Sequence, residues 1–161
     1  MRPITEKALR ASFVNASLRE RNTLTIPSEF AGLDWPSLDF LAWRDARSPM
    51  LGYVVTELDG QAIGVLMRQA ESRPRSRAQC SWCEDVQLPN DVIFSSAKRA
   101  GEAGRNGNTI GTLVCANFEC PANVRRRPPM AYIGFDVDAA RQQRIAALTV
   151  HVRNFVADVR G

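Results

Sequence analysis

The chain's four cysteines fall into two close pairs, Cys80-Ser81-Trp82-Cys83 and Cys115-Ala116-Asn117-Phe118-Glu119-Cys120, with 31 residues between them. A C-x2-C clip and a C-x4-C clip each hold two thiols on one tight turn, and the intervening chain can bring the turns together. That pattern predicts one structural zinc ion with Cys80, Cys83, Cys115 and Cys120 as its ligands. With four protein thiolates such an ion has no open position, so it would brace the fold and not activate water. Two other readings stay open: four buried free thiols, or a C-x-x-C redox pair beside two unrelated cysteines. The second pair makes these alternatives depend on coincidence.

The 161 residues suffice for one ordinary domain or a small domain with an appended module. No apolar run is long enough for a membrane span. The start, MRPITEKALRASF, is broken by Glu6 and Lys7 where a secretory signal is apolar. A cytoplasmic location is therefore expected, where paired thiols bind metal more often than they oxidise. The net charge is +4 and unevenly spread. Residues 1–67 hold 7 basic and 8 acidic side chains, whereas residues 68–127 hold 10 basic and 6 acidic. The basic half is the cysteine-bearing half, which favours an acidic partner, protein or nucleic acid. A charge that serves solubility alone is the other reading.

Helical spacing of Leu9, Phe13, Val14 and Leu18, with Thr5 as cap, predicts a helix over 4–21. Leu24-Thr25-Ile26 reads as a short extended run stopped by Pro27. Residues 28–50 are apolar and irregular, expected as loops around a short helix, with Trp35 and Trp43 in the core. Leu51–Leu58 and Gln61–Met67 flank Asp59-Gly60, a strong hairpin signal. The polar segment 68–79 is the expected boundary between a first region, 1–70, and a zinc-finger region, 71–161. Strands are expected over Asp91–Ser96 and Asn108–Val114, joined by a basic, glycine-rich turn. A helix is expected near Cys120, because Pro121 suits a first turn. The longest helix is expected over 137–160, capped by Asp136 or Asp138. Ile145, Leu148, Val152, Phe155 and Val159 form its apolar face.

The order knuckle, strand, turn, strand, second cysteine pair, helix describes a treble-clef zinc finger, with thiolates at the positive end of a helix. The expected fold is thus α+β: a four-cysteine treble clef with β-hairpins packed by a long C-terminal helix, plus an N-terminal helix and hairpin. His151 is the only histidine and is expected as a half-exposed helix residue. No carboxylate pair suits acid–base work, so an enzyme is not expected. Gly101, Gly104 and Gly107 sit among Lys98, Arg99, Arg105 and Asn106, either as an anion- or partner-binding loop or as a plain flexible tip. Arg125-Arg126-Arg127 are either solvated or, beside the turn, part of one basic face. Trp82 is either an exposed interface anchor or a core residue on the last helix.

The C-x2-C to C-x4-C frame, the strand–basic turn–strand between the pairs, and Ser12-Phe13-Val14-Asn15-Ala16-Ser17 followed by Leu24-Thr25-Ile26-Pro27 together touch most of the chain. In these segments the chain resembles the elongation factor G-binding family, which includes fusidic acid resistance proteins of the FusB type. The resemblance implies a non-catalytic protein whose zinc-finger face binds the translational GTPase elongation factor G and helps it leave the ribosome. The matching surface comprises Ser81 and Trp82, the turn with Lys98, Arg99, Arg105 and Asn106, and the stretch with Arg125, Arg126, Arg127 and Met130. Neither a membrane nor a small-molecule substrate is expected. The other reading is an RNA-binding zinc finger whose arginines contact ribosomal RNA phosphates on the same face.

Overall fold

The structure is a computed structural model describing residues 1–72, 76–85, 89–130 and 132–161. Five antiparallel strands form one sheet in chain order: β1 Leu41–Arg44, β2 Leu51–Leu58, β3 Gln61–Gln69, β4 Val92–Lys98 and β5 Thr109–Cys115. Asp59-Gly60 turns the β2–β3 hairpin with both residues at positive φ, 52° and 74°, so that Leu58 faces Gln61. Two left-handed residues give a turn whose twist matches the strands, which is why Asp-Gly marks hairpins. β3 outruns its expected end at Met67 and pairs with β4 through Arg68↔Ser96 and Gln69↔Ser95. Of the expected boundary segment 68–79, residues 73–75 lie outside the described residues.

The helices are α1 Glu6–Ser12, α2 Leu18–Thr23, α3 Gly101–Arg105, α4 Cys120–Arg125 and α5 Val137–Arg160. The single helix expected over 4–21 is broken in the middle. Thr5 caps α1 as expected, but residues 13–17 leave the helix to reach the sheet. Phe13 bridges Gly64, and the Val14 N–H donates to the Gly64 carbonyl at 3.0 Å. Ser17 and Glu20 then form a capping box that starts α2. Leu24-Thr25-Ile26 forms no strand; the Thr25 carbonyl instead accepts from Trp43 Nε1 at 2.7 Å. Residues 28–50 contain two short 3-10 turns, Ser28–Gly32 and Trp35–Ser37, and then β1, a strand the sequence reading did not foresee. The glycine-rich turn contains α3.

Alternation along the strands splits the core between two faces. On one face Val54, Val65, Met67, Ile93 and Val114 pack against α5 through Leu148, Val152, Phe155, Val156 and Val159. Asp136 caps α5, accepting from the Ala139 N–H at 2.8 Å. On the other face Leu41, Tyr53, Val55 and Leu66 pack against Leu9, Phe13 and Trp35. The N-terminal segment covers this outer face over β1–β3 only. The result is the expected α+β treble clef with hairpins under a long C-terminal helix. Among the described residues no helix is long and apolar enough to cross a membrane.

Candidate metal centre

β5 ends on Cys115, and the loop that follows is tight. The Phe118 N–H donates to the Cys115 carbonyl at 3.0 Å, with Phe118 held at φ 61°. Cys120 opens α4 with Pro121 in the first turn, as expected. The first clip hangs from the same strand: the Ser81 N–H donates to the Leu113 carbonyl at 2.8 Å, and the Glu84 N–H closes the turn on the Cys80 carbonyl at 2.9 Å. These turns bring all four Sγ atoms within 4.8 Å of one another, and all four cysteines are buried. Cys80 and Cys120 Sγ are 3.6 Å apart, and Cys83 and Cys115 Sγ 3.7 Å. A tetrahedron with Zn–S bonds of about 2.3 Å has S···S edges of about 3.8 Å. The donor set therefore fits zinc in both chemistry and spacing. The four cysteines form a zinc site.

The electrostatics point the same way. Crowded against Cys115, Cys80 and Cys83 and buried, the Cys120 thiol is pushed up, while contacts from Cys115, Cys120 and Cys83 hold Cys80 down. Four thiols this close cannot all ionise without a cation between them, and zinc removes that conflict. Donors also surround the sulfurs. The Trp82 N–H reaches Cys80 Sγ at 3.4 Å, and Asn123 Nδ2 reaches Cys115 Sγ at 3.4 Å. Asn123 Nδ2 also donates to Asn90 Oδ1 at 3.0 Å, so this buried amide orients a ligand from α4.

A second brace comes from β1. Arg44 Nε donates to the Ala116 carbonyl at 2.7 Å, and its guanidinium lies 4.6 Å from the centre of the Phe118 ring. Gly52 makes room for this: a Cβ there would lie 2.7 Å from Phe118 Cζ and 2.9 Å from an Arg44 nitrogen. Neither Arg44 nor Asn123 was found by sequence reasoning. Each lies far along the chain or off the cysteine spacing, and no local pattern marks it.

The expected surface residues divide sharply. Trp82 is corrected from anchor to core: it is 2% exposed, stacked on Phe118 and packed against Phe40 and Phe155. An indole enclosed by three rings presents no face to a partner. His151 on α5 is half-exposed, as expected, with Nδ1 3.0 Å from the Trp82 carbonyl. Ser81, between two of the ligands, and Arg126, Arg127 and Met130, which follow α4, are exposed. Arg125 is tied to Asp39 at 2.5 Å and 3.1 Å. Lys98, Arg105 and Asn106 are exposed too, whereas Arg99 is held against the Asp158 carbonyl at 2.9 Å.

Among the described residues one continuous basic face does not form. Val92 pairs with Cys115 and Lys98 with Thr109, so the turn sits at the opposite end of the hairpin from the metal. The seven residues of β4 put about 20 Å between them. The glycines of the turn have backbone reasons of their own. Gly101 and Gly107 sit at φ 65° and 89°, and a Cβ on Gly104 would lie 1.8 Å from the Arg99 carbonyl oxygen.

The fold and site define a treble-clef zinc-finger protein with a closed four-thiolate centre. The family model of the FBP C-terminal treble-clef zinc-finger matches residues 8–159, nearly the whole chain, and the chain belongs to that family. It is a family of zinc fingers. No curated protein and no solved structure matches the chain.

Proposed function

We propose that the protein binds the translational GTPase elongation factor G through its zinc-end surface and shifts the factor's release from the ribosome, without catalysis. The observation that carries this is the family match together with a metal centre that is closed. All four ligands are buried protein thiolates, which leaves the zinc a brace for the surface built around it. That surface offers what an interface needs. Arg126 and Arg127 project from the end of α4 with no ion-pair partner among the described residues, and Met130, Tyr132 and Ile133 follow at 65%, 65% and 98% exposure. Exposed apolar side chains next to unpaired arginines suit an acidic-rimmed protein patch better than solvent.

The test is capture of purified, nuclease-treated elongation factor G by the zinc-loaded protein, with a Kd measured for each variant. Arg126→Ala with Arg127→Ala is expected to weaken binding at least tenfold, and Met130→Ala similarly, while Lys98→Gln leaves it unchanged. Undiminished binding by the zinc-end variants, or loss of all binding after nuclease treatment, sinks the reading.

A further inference from the structure

Among the described residues the outer face of the sheet is covered over β1–β3 and left open over β4–β5. Phe94, Ser96 and Lys98 of β4 alternate with the buried Ile93, Ser95 and Ala97 and so share that open face. Register places Leu113, Gly111 and Thr109 of β5 opposite them. Phe94 is 44% exposed, in contrast to the buried aromatics of the two cores. The tip of its ring reaches over the neighbouring strand where residue 111 is glycine: a Cβ there would stand 2.3 Å from Phe94 Cζ. The strand pair thus leaves an aromatic side chain open to solvent and seats its tip against Gly111.

At the turn end this shelf runs into a cleft of ≈ 490 Å³ whose walls include Ser17, Glu20, Arg68, Ser96, Lys98 and Arg105. Its charge is lopsided: Arg68, Lys98, Arg99 and Arg105 against Glu20 alone. Glu20 is already engaged. It accepts from the Ser17 N–H and hydroxyl at 2.8 Å and pairs with Arg68 at 3.1 Å. Among the described residues Lys98 and Arg105 side chains have no hydrogen-bond or ion-pair partner, and neither do the hydroxyls of Ser96 and Thr109.

We propose that this open face binds single-stranded RNA, with a base stacked on Phe94 and backbone phosphates drawn into the cleft by Lys98 and Arg105. A π-face beside a cationic groove is the general solution for single strands, because every base can stack and every phosphate is charged. An acidic protein patch would use the cations but has no need of a fixed ring. A duplex would use the phosphate contacts and leave Phe94 idle, since its bases are already stacked. The proposal does not rest on the elongation factor reading: its residues are on β4 and the turn, not among Arg126, Arg127 and Met130, and the two fail independently.

The test is fluorescence anisotropy of a labelled 12-mer of uridylate and of a 12-base-pair RNA duplex with the zinc-loaded full chain across a salt series. Single-strand binding should exceed duplex binding and fall with salt. Phe94→Leu keeps an apolar side chain over Gly111 but cannot stack, and is expected to weaken single-strand binding about tenfold with little change in salt slope. Lys98→Gln with Arg105→Gln should flatten the slope by about 0.7 for each phosphate no longer neutralised. Arg126→Ala with Arg127→Ala should leave RNA binding intact. Equal affinity for duplex and single strand, no binding at low salt, or a Phe94→Leu protein that is folded by circular dichroism and binds as before overturns the proposal. So does loss of elongation factor binding in the Phe94 and Lys98/Arg105 variants where RNA does not bind.

Discussion

Asp45, at the end of β1, is 5% exposed and bonded from several sides. It accepts from the N–H groups of Arg47 at 2.8 Å and Ser48 at 2.9 Å, from the Thr25 N–H at 3.3 Å, and from the Tyr53 hydroxyl at 2.9 Å. Burial alone would raise its pKa, but these donors outweigh it and hold the carboxyl below its ordinary value. A carboxylate with a depressed folded pKa contributes stability above its unfolded pKa, near 3.9, and loses it as pH falls through the folded value. Asp45→Asn should therefore cost about 2 kcal/mol in urea unfolding at pH 7. The gap to the natural protein should close progressively below about pH 4. A gap that persists undiminished in acid would show that packing, not the ionised carboxylate, is what Asp45 supplies. At this scale the sequence reading found the residues whose chemistry is written in their spacing, the four cysteines, and narrowed the α5 cap to Asp136 or Asp138, of which Asp136 is the one that caps. It missed Arg44 and Asn123, because their partners Ala116 and Asn90 come from other segments, and it missed Asp45, whose local turn with Arg47 and Ser48 was overlooked. It left Trp82 between two readings because a knuckle position alone does not say which side of the turn faces the core.

At the scale of elements, α5 was legible because Leu148, Val152, Phe155 and Val159 keep helical spacing over its length and one apolar face has one sheet to cover. The first helix was misread for the mirror-image reason. Leu9, Phe13, Val14 and Leu18 satisfy helical spacing, yet Leu18 is 73% exposed and Phe13 is buried against the sheet. The competing signal was the Ser17-x-x-Glu20 capping box, which opens a new helix where the old one was still being extended. What the break gains is a clamp. β3 and β4 pair only at Arg68↔Ser96 and Gln69↔Ser95, and the strands then part. Asn15 fills the gap: its Oδ1 accepts from the Leu66 N–H at 2.8 Å, and its Nδ2 donates to the carbonyls of Leu66 and Lys98 at 2.9 Å. Asn15→Ala leaves those backbone groups without their partner at a half-covered site. The expected cost is about 2 kcal/mol, a drop in Tm of about 6 °C for a chain of this length. Hydrogen exchange at the Leu66 amide should accelerate. Exchange at that amide as slow as in the natural protein would mean the strands close without the clamp.

At the scale of the whole molecule the zinc site belongs to the larger of the two cores. Cys80, Cys83, Cys115 and Cys120 share a cluster with Leu148, Val152 and Phe155 of α5, and equally with Phe40, Val54, Leu58, Val65 and Met67, which precede the first cysteine. Arg44 ties β1 to the loop between the last two ligands, and Arg125 ties α4 to Asp39. Four thiolates around one zinc make binding and folding a single equilibrium, with apparent site energies of about 10–16 kcal/mol for small zinc modules. That is as large as the ordinary stability of a domain, about 5–15 kcal/mol. Metal removal should therefore unfold the hairpin of β2 and β3 together with the zinc finger. Metal analysis of the natural protein should give about one zinc per chain. On titration with a strong chelator, Trp82 loses its stack on Phe118 and the amides of Val54 and Val65 lose exchange protection, both at the same chelator concentration. Cys115→Ser should reproduce that state without chelator. If β2–β3 amides stay protected after the metal is gone, the segment before residue 70 folds without the zinc finger, and the shared core is a contact between two independent units.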